Sequence, residues 1–183
     1  VEVAEFEPTG IVAGVACTTL STDRAQDDAT ETLLAVADFQ LGRELADGAV
    51  TGNPNLGDAI TAGTAADFVE ALAVVEQAIA DGLYGRLGYV HVCPGDLTRL
   101  LSADAIYRDG RAWRTATGNT VVASAGYDFC GEVHATGEVF ASVSPAETRA
   151  SVDRAVNTTE AYAEQVGLAA FAPCFNVYVE VTS

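Results

Sequence analysis

The sequence contains no lysine and no methionine, only two histidines and one tryptophan among its 183 residues. Each shortage excludes something. All nine basic residues are arginine, and a guanidinium that stays protonated cannot act as an amine nucleophile or form a Schiff base. His91 and His134 are the only imidazoles, and neither stands beside a GxSxG or comparable nucleophile motif. With 9 cationic residues against 26 anionic ones the formal charge is −17, which repels phosphate backbones and speaks against nucleic-acid readout. It also matches a salt-adapted source, or simply a soluble surface. The apolar runs fall well short of the roughly 20 residues of a membrane-spanning helix. The first residues lack the charged, apolar, small-residue order of a signal peptide. No initiator methionine is present, so a processed or trimmed N-terminus is expected.

What is there belongs to a folded protein. The composition is 49% hydrophobic, too rich for a disordered chain, and a chain of this length buries roughly 70% of its unfolded surface without staples. The four cysteines, Cys17, Cys93, Cys130 and Cys174, include no close CxxC pair, so a zinc ribbon is out. They read as small buried hydrophobes. Two alternatives stay open: a Cys17–Cys174 bridge between strands near the two ends, and a Cys2His2 zinc site from His91, Cys93, Cys130 and His134.

Taken in order, residues 1–8 read as an acidic arm or edge strand, and Ile11 to Cys17 as an apolar strand. Ser21 or Thr22 then caps a long helix with Asp23, Asp27 and Asp28 in its first turns, where acids suit the helix dipole. Ala29, Leu33, Val36, Ala37, Leu41 and Leu45 recur at three and four, and the helix stops at Asp47-Gly48. Arg43 and Glu44 fall on its polar side, as solvated residues or partners of another subunit. Residues 51–64, rich in Gly, Asn and Pro, read as a loop. Gly52-Asn53-Pro54 is not a phosphate loop, because no Gly-Lys-Ser/Thr follows. A second helix is expected from Ala65 to Asp81, with Thr64 and Asp67 as a capping box and Phe68, Leu72, Val75 and Ile79 on its buried face. Later come strands over 132–136, 139–143, 148–155, 161–171 and 175–181. This order of helices first and sheet last reads as α+β.

The central stretch carries the most pattern. Tyr89 to Val92 is an apolar strand. Pro94 starts a short helix ending at Ser102, with Leu97, Leu100 and Leu101 on one stripe. Asp109-Gly110 and Gly118-Asn119 are turns, enclosing a strand at Trp113 to Thr115 and leading into Thr120 to Val122. This succession resembles the central part of tailed-phage major capsid proteins, whose Hong Kong 97-type fold encapsulins share. The long helix before it, the Gly52–Gly57 connection and the helix from Ala65 follow the same order, so the resemblance spans residues 23–181.

The resemblance implies a shell subunit with a spine helix, a peripheral sheet and an apical lobe. Residues 1–64 would form the N-terminal arm, spine helix and linker, 65–144 the apical lobe, and 145–183 strands returning to the peripheral lobe. It implies no enzyme activity, no catalytic residue, no cofactor and no metal. The expected assembly is pentamers and hexamers of an icosahedral bacteriophage head, with scaffold, portal or decoration proteins as partners and packaged DNA near by non-specific proximity. No membrane is involved. The place is the virion, and the host cytoplasm during assembly. An encapsulin-like compartment and a small acidic enzyme or binding module are the alternatives. Only 22 residues precede Asp23, so the family's extended loop is expected to be short or missing. Some members weld neighbours by a Lys–Asn bond, which a chain without lysine cannot form. Arg108, Arg111 and Arg114 around Trp113 are the one basic cluster. With Arg43 and Glu44 they are the candidate subunit contacts, since Arg and Trp dominate interface hot spots.

Overall fold

A computed structural model of the chain describes residues 5–17, 21–48 and 50–182. Two hydrophobic cores form, each around its own sheet. In the first, β1 (Thr9–Cys17) runs antiparallel to β10 (Thr158–Phe171). The other side of β10 is shared by β9 (Glu147–Asp153) and β8 (Val139–Val143), also antiparallel. Alternate residues of β10 face inward, among them Ala161, Ala163 and Ala169, the period of two that a one-sided sheet requires.

The spine helix α1 (Thr22–Asp47) lies across that inner face. Ser21 caps it by accepting from the Arg24 amide, and Gly48 ends it with φ 59°, a left-handed turn that glycine adopts without a Cβ penalty. Its buried stripe mixes small and large residues, Ala25, Ala29, Leu33, Ala37, Leu41 and Leu45. Small residues on both partners let helix and sheet approach closely, so few voids remain. Residues 5–8 are not a strand; residues 1–4 of the expected arm lie outside the described residues. The segment is held instead by Asn53, which accepts from the Glu7 amide and donates to its carbonyl, both at 2.8 Å.

The second sheet has the order β2-β11-β7-β3-β6-β5-β4. Its strands are β2 (Ile60–Ala65), β3 (Tyr89–Val92), β4 (Ile106–Asp109), β5 (Ala112–Thr115), β6 (Thr120–Ala123), β7 (Glu132–Thr136) and β11 (Asn176–Val181). β3 is central, parallel to β6 and antiparallel to β7. Helices α2 (Phe68–Gly82) and α3 (Pro94–Ser102) belong to this core. Phe68, Leu72, Val75 and Ile79 are buried as their spacing predicts, each contributing about 1.5–3 kcal/mol by removal from water.

Three expectations need correction. Residues 51–64 hold a 3-10 turn (Leu56–Asp58) and strand β2. β2 is a mostly exposed edge that gives only Ala65 to the core, and pairs with β11 far along the chain. Thr64 therefore lies in a strand, and α2 is capped by Asp67, whose Oδ1 accepts from the Val69 and Glu70 amides at 2.9 Å. At strand level, β11 joins the second sheet between β2 and β7, whereas β8 joins the first.

Candidate functional site

The basic cluster sits on the β4–β5 hairpin, where β4 is the free edge of the second sheet. Asp109-Gly110 makes its turn, with Gly110 at φ 60°. Arg108 and Trp113 are cross-strand partners, and the guanidinium lies 5.8 Å from the indole centroid, a cation–π arrangement. Arg114 is committed inward: it donates to the Gly118 carbonyl at 3.2 Å and to Thr120 Oγ1 at 2.6 Å. Arg108 and Arg111 are exposed. The hairpin thus presents two outward guanidiniums and a half-buried indole beside an unpaired strand edge.

Arg43 and Glu44 part company. The Arg43 side chain is exposed and pairs with Asp47 at 3.4 Å. Glu44 does not lie on the polar side as its helix position suggests: it is 4% exposed. Its carboxylate accepts from the Val50 amide at 3.2 Å, the Thr51 amide at 3.3 Å and the Thr51 hydroxyl. Those donors belong to the turn after Gly48, which folds back over the last turn of α1. The register of that turn is what buries Glu44, and no helical periodicity reports it.

The four residues of the zinc alternative come together, but not as a zinc site. His91 and His134 are direct partners in the β3–β7 ladder. Continued by two residues, that register sets Cys93 level with Glu132 at the start of β7, two residues from Cys130. The two cysteines form a disulfide with Cα atoms 5.3 Å apart, so they are not the free hydrophobes expected. Asp96, Cys93 and Cys130 offer ligand atoms within 4.8 Å of one another, yet both sulfurs are spent on each other. Cys174 is free and exposed, which leaves the Cys17–Cys174 bridge unformed; the side chain of Cys17 lies outside the described residues.

Both ring nitrogens of His91 are engaged, Nδ1 with the Tyr127 hydroxyl at 3.0 Å and Nε2 with Thr136 Oγ1 at 2.9 Å. Burial first, and the neighbouring His134 second, lower its pKa from 6.5 to about 3. Burial also lowers that of His134, against the opposing hydrogen bond and charge of Glu132 and the Leu56 carbonyl. The Tyr127 phenol is pushed above its ordinary value by burial. From His91 a run of rings continues through Tyr127, Phe129 and His134 to Tyr178, with successive centroids 4.2 to 5.8 Å apart. These neutral rings bind one another across the junction of the two cores.

A further surface carries no local sequence signal. On the outer face of the first sheet, Val12, Phe140, Tyr162 and Val166 are all exposed. Alternation along β10 separates two faces, but only the position of α1 decides which one is covered.

No family model and no curated protein matches the sequence. Solved structures do match the fold. A chain from Gordonia phage Cozz aligns with TM-score 0.66 at 13% identity, covering 97% of this chain and 71% of that one. The holo-SrpI encapsulin complex from Synechococcus elongatus PCC 7942 aligns with TM-score 0.60 at 11% identity, over 94% of this chain and 73% of that one. The capsid of an empty GTA particle aligns with TM-score 0.57 at 14% identity, over 97% and 78%. The long helix across one sheet, the second sheet with its two helices, and these alignments together identify the α+β Hong Kong 97-type capsid fold, common to tailed-phage major capsid proteins and encapsulins.

Proposed function

We propose that the chain is a structural, non-enzymatic subunit that self-assembles into a closed shell, and specifically the major capsid subunit of a bacteriophage head around packaged DNA. The carrying observation is the alignment of 97% of the chain with the Gordonia phage Cozz chain. In this reading the first sheet with α1 is the peripheral lobe, and the second sheet with α2 and α3 is the apical lobe. Pentamers and hexamers tile the shell, in the host cytoplasm during assembly and then in the virion. The −17 charge fits an inner surface that does not grip DNA. Arg108, Arg111, Trp113, Arg114 and Arg43 are the proposed subunit contacts. Glu44 supports them from behind by fixing the turn after α1.

An encapsulin-like compartment is the second reading, favoured by the likeness to the SrpI encapsulin complex. Expression followed by size-exclusion chromatography and negative-stain imaging tests the shell: closed particles support it, and a monomer holding a small ligand overturns it. The contents then decide between the two readings. Nucleic acid inside marks a phage head, and protein cargo marks a compartment.

A further inference from the structure

We infer that the Cys93–Cys130 disulfide is a reversible redox clasp across the ends of the neighbouring strands β3 and β7, and that Cys130 is its site of attack by low-molecular-weight thiols. The two cysteines differ in exposure. Cys93 is 1% exposed, whereas Cys130 is exposed. They also differ in what they hold. Cys93 stands between the end of β3 and the start of α3, and its side chain packs in the first core. Cys130 ends the segment 124–131, which leaves β6 and crosses to the spine helix. There Tyr127 is buried in the first core and Phe129 packs against it. The Ser124 hydroxyl also reaches the Asp38 carbonyl of α1, at 3.4 Å. The disulfide therefore fastens the end of the segment that touches α1 to the end of β3, the strand next to β7.

The site also accommodates the reduced state. Asp96 is 2% exposed, and its Oδ2 lies 3.2 Å from Cys93 Sγ. That oxygen also accepts from the Gly131 amide at 2.9 Å, and Oδ1 accepts from Arg99 at 3.1 Å. When the clasp opens, the Cys93 thiol has an acceptor already in place. A thiolate such as that of glutathione attacks Cys130 Sγ and the Cys93–Cys130 bond breaks. Cys93 leaves as a thiolate and takes a proton from water. A second thiolate attacks the mixed disulfide, releasing glutathione disulfide and the Cys130 thiolate. Two electrons enter the protein from two thiols, and glutathione disulfide reverses the sequence. If the shell reading holds, the clasp stiffens a subunit that passes from a reducing to an oxidising medium. The measurements below are made on the chain alone, so they succeed or fail independently of that reading.

The full-length Cys17→Ser, Cys174→Ser variant is equilibrated in glutathione buffers, acid-quenched and mapped by mass spectrometry. The expected result is a reversible two-electron transition with unchanged circular dichroism, and a glutathione adduct on Cys130 at intermediate poise. Reduction should lower the melting temperature by on the order of 10 °C and speed amide exchange over 124–131. Cys93→Ser should leave a Cys130 that alkylates rapidly in the native state; Cys130→Ser should leave a Cys93 that does not. Where a variant fails to fold, the adduct map of the parent decides alone. Reduction only on global unfolding, an adduct on Cys93, or no disulfide at all overturns the inference.

Discussion

Gly42 of the spine helix and Gly126 of the bridging segment meet backbone to backbone. A Cβ built at Gly126 would overlap the Phe39 carbonyl oxygen and the Arg43 amide nitrogen, and one at Gly42 would overlap the Ser124 side chain. The two cores are brought this close only because neither residue has a side chain.

Gly126→Ala should therefore cost about 1–3 kcal/mol, because the obstacle is backbone and cannot rotate away. Thermal unfolding should move down by about 2–4 °C per kcal/mol. An unchanged melting temperature would mean that the segment does not contact α1.

Glu44→Ala should destabilise by about 2–3 kcal/mol, since it strands the Val50 and Thr51 amides and the Thr51 hydroxyl around a cavity. Urea denaturation is the measurement. A loss below about 0.5 kcal/mol, as for a surface residue, would show that the turn after Gly48 satisfies those donors elsewhere.

Stability should fall as the medium is acidified below the ordinary histidine range. The folded pKa of His91 is depressed to about 3, so between 6.5 and 3 the unfolded chain takes up a proton that the native chain refuses. The stabilisation is complete above about pH 6.5 and declines by about 1.4 kcal/mol per pH unit for one such site. His134 is shifted in the same direction. Urea midpoints at pH 7 and pH 5, on the acid side of which carboxylates start to interfere, should differ accordingly. Equal midpoints would place a charged imidazole in the native core.

Replacing Arg108, Arg111 and Arg114 together by Gln should leave a folded chain that assembles poorly. Arginine pairs bidentately with carboxylates, of which neighbouring copies supply many. Normal shells from a soluble triple variant would remove the hairpin from the proposed contacts.

Shells of this chain boiled in detergent with reductant should run as one band near 18.9 kDa. With no amine side chain, the interfaces hold by apolar burial and charge pairs, both weakened by denaturant or salt. A ladder of covalent multimers would contradict this.

How far the fold could be read before seeing it depended on whether the signal was local. The α2 stripe of Phe68, Leu72, Val75 and Ile79 is periodic over neighbouring residues and came through, as did a strand over 161–171 within β10. β2 did not, because its evidence is a partner 117 residues away and its own side chains are mostly exposed. The Cys93–Cys130 pair was hidden for the same reason: only the His91–His134 register brings these cysteines together. Glu44 reads as a surface acid on any helical wheel. A turn beyond the helix end, set by the left-handed Gly48, is what covers it.

The position of β11 has a consequence for timing. It lies between β2 and β7, and every other strand of that sheet precedes it in the chain. During synthesis β7 and β3 can pair early, but the edge of β7 that receives β11 stays open until Asn176–Val181 emerges. For that interval the nascent chain exposes an unpaired strand edge next to apolar residues, the state most prone to pairing with another copy. The second sheet therefore closes only once β11 has emerged, and Val179, buried in its core, is placed last.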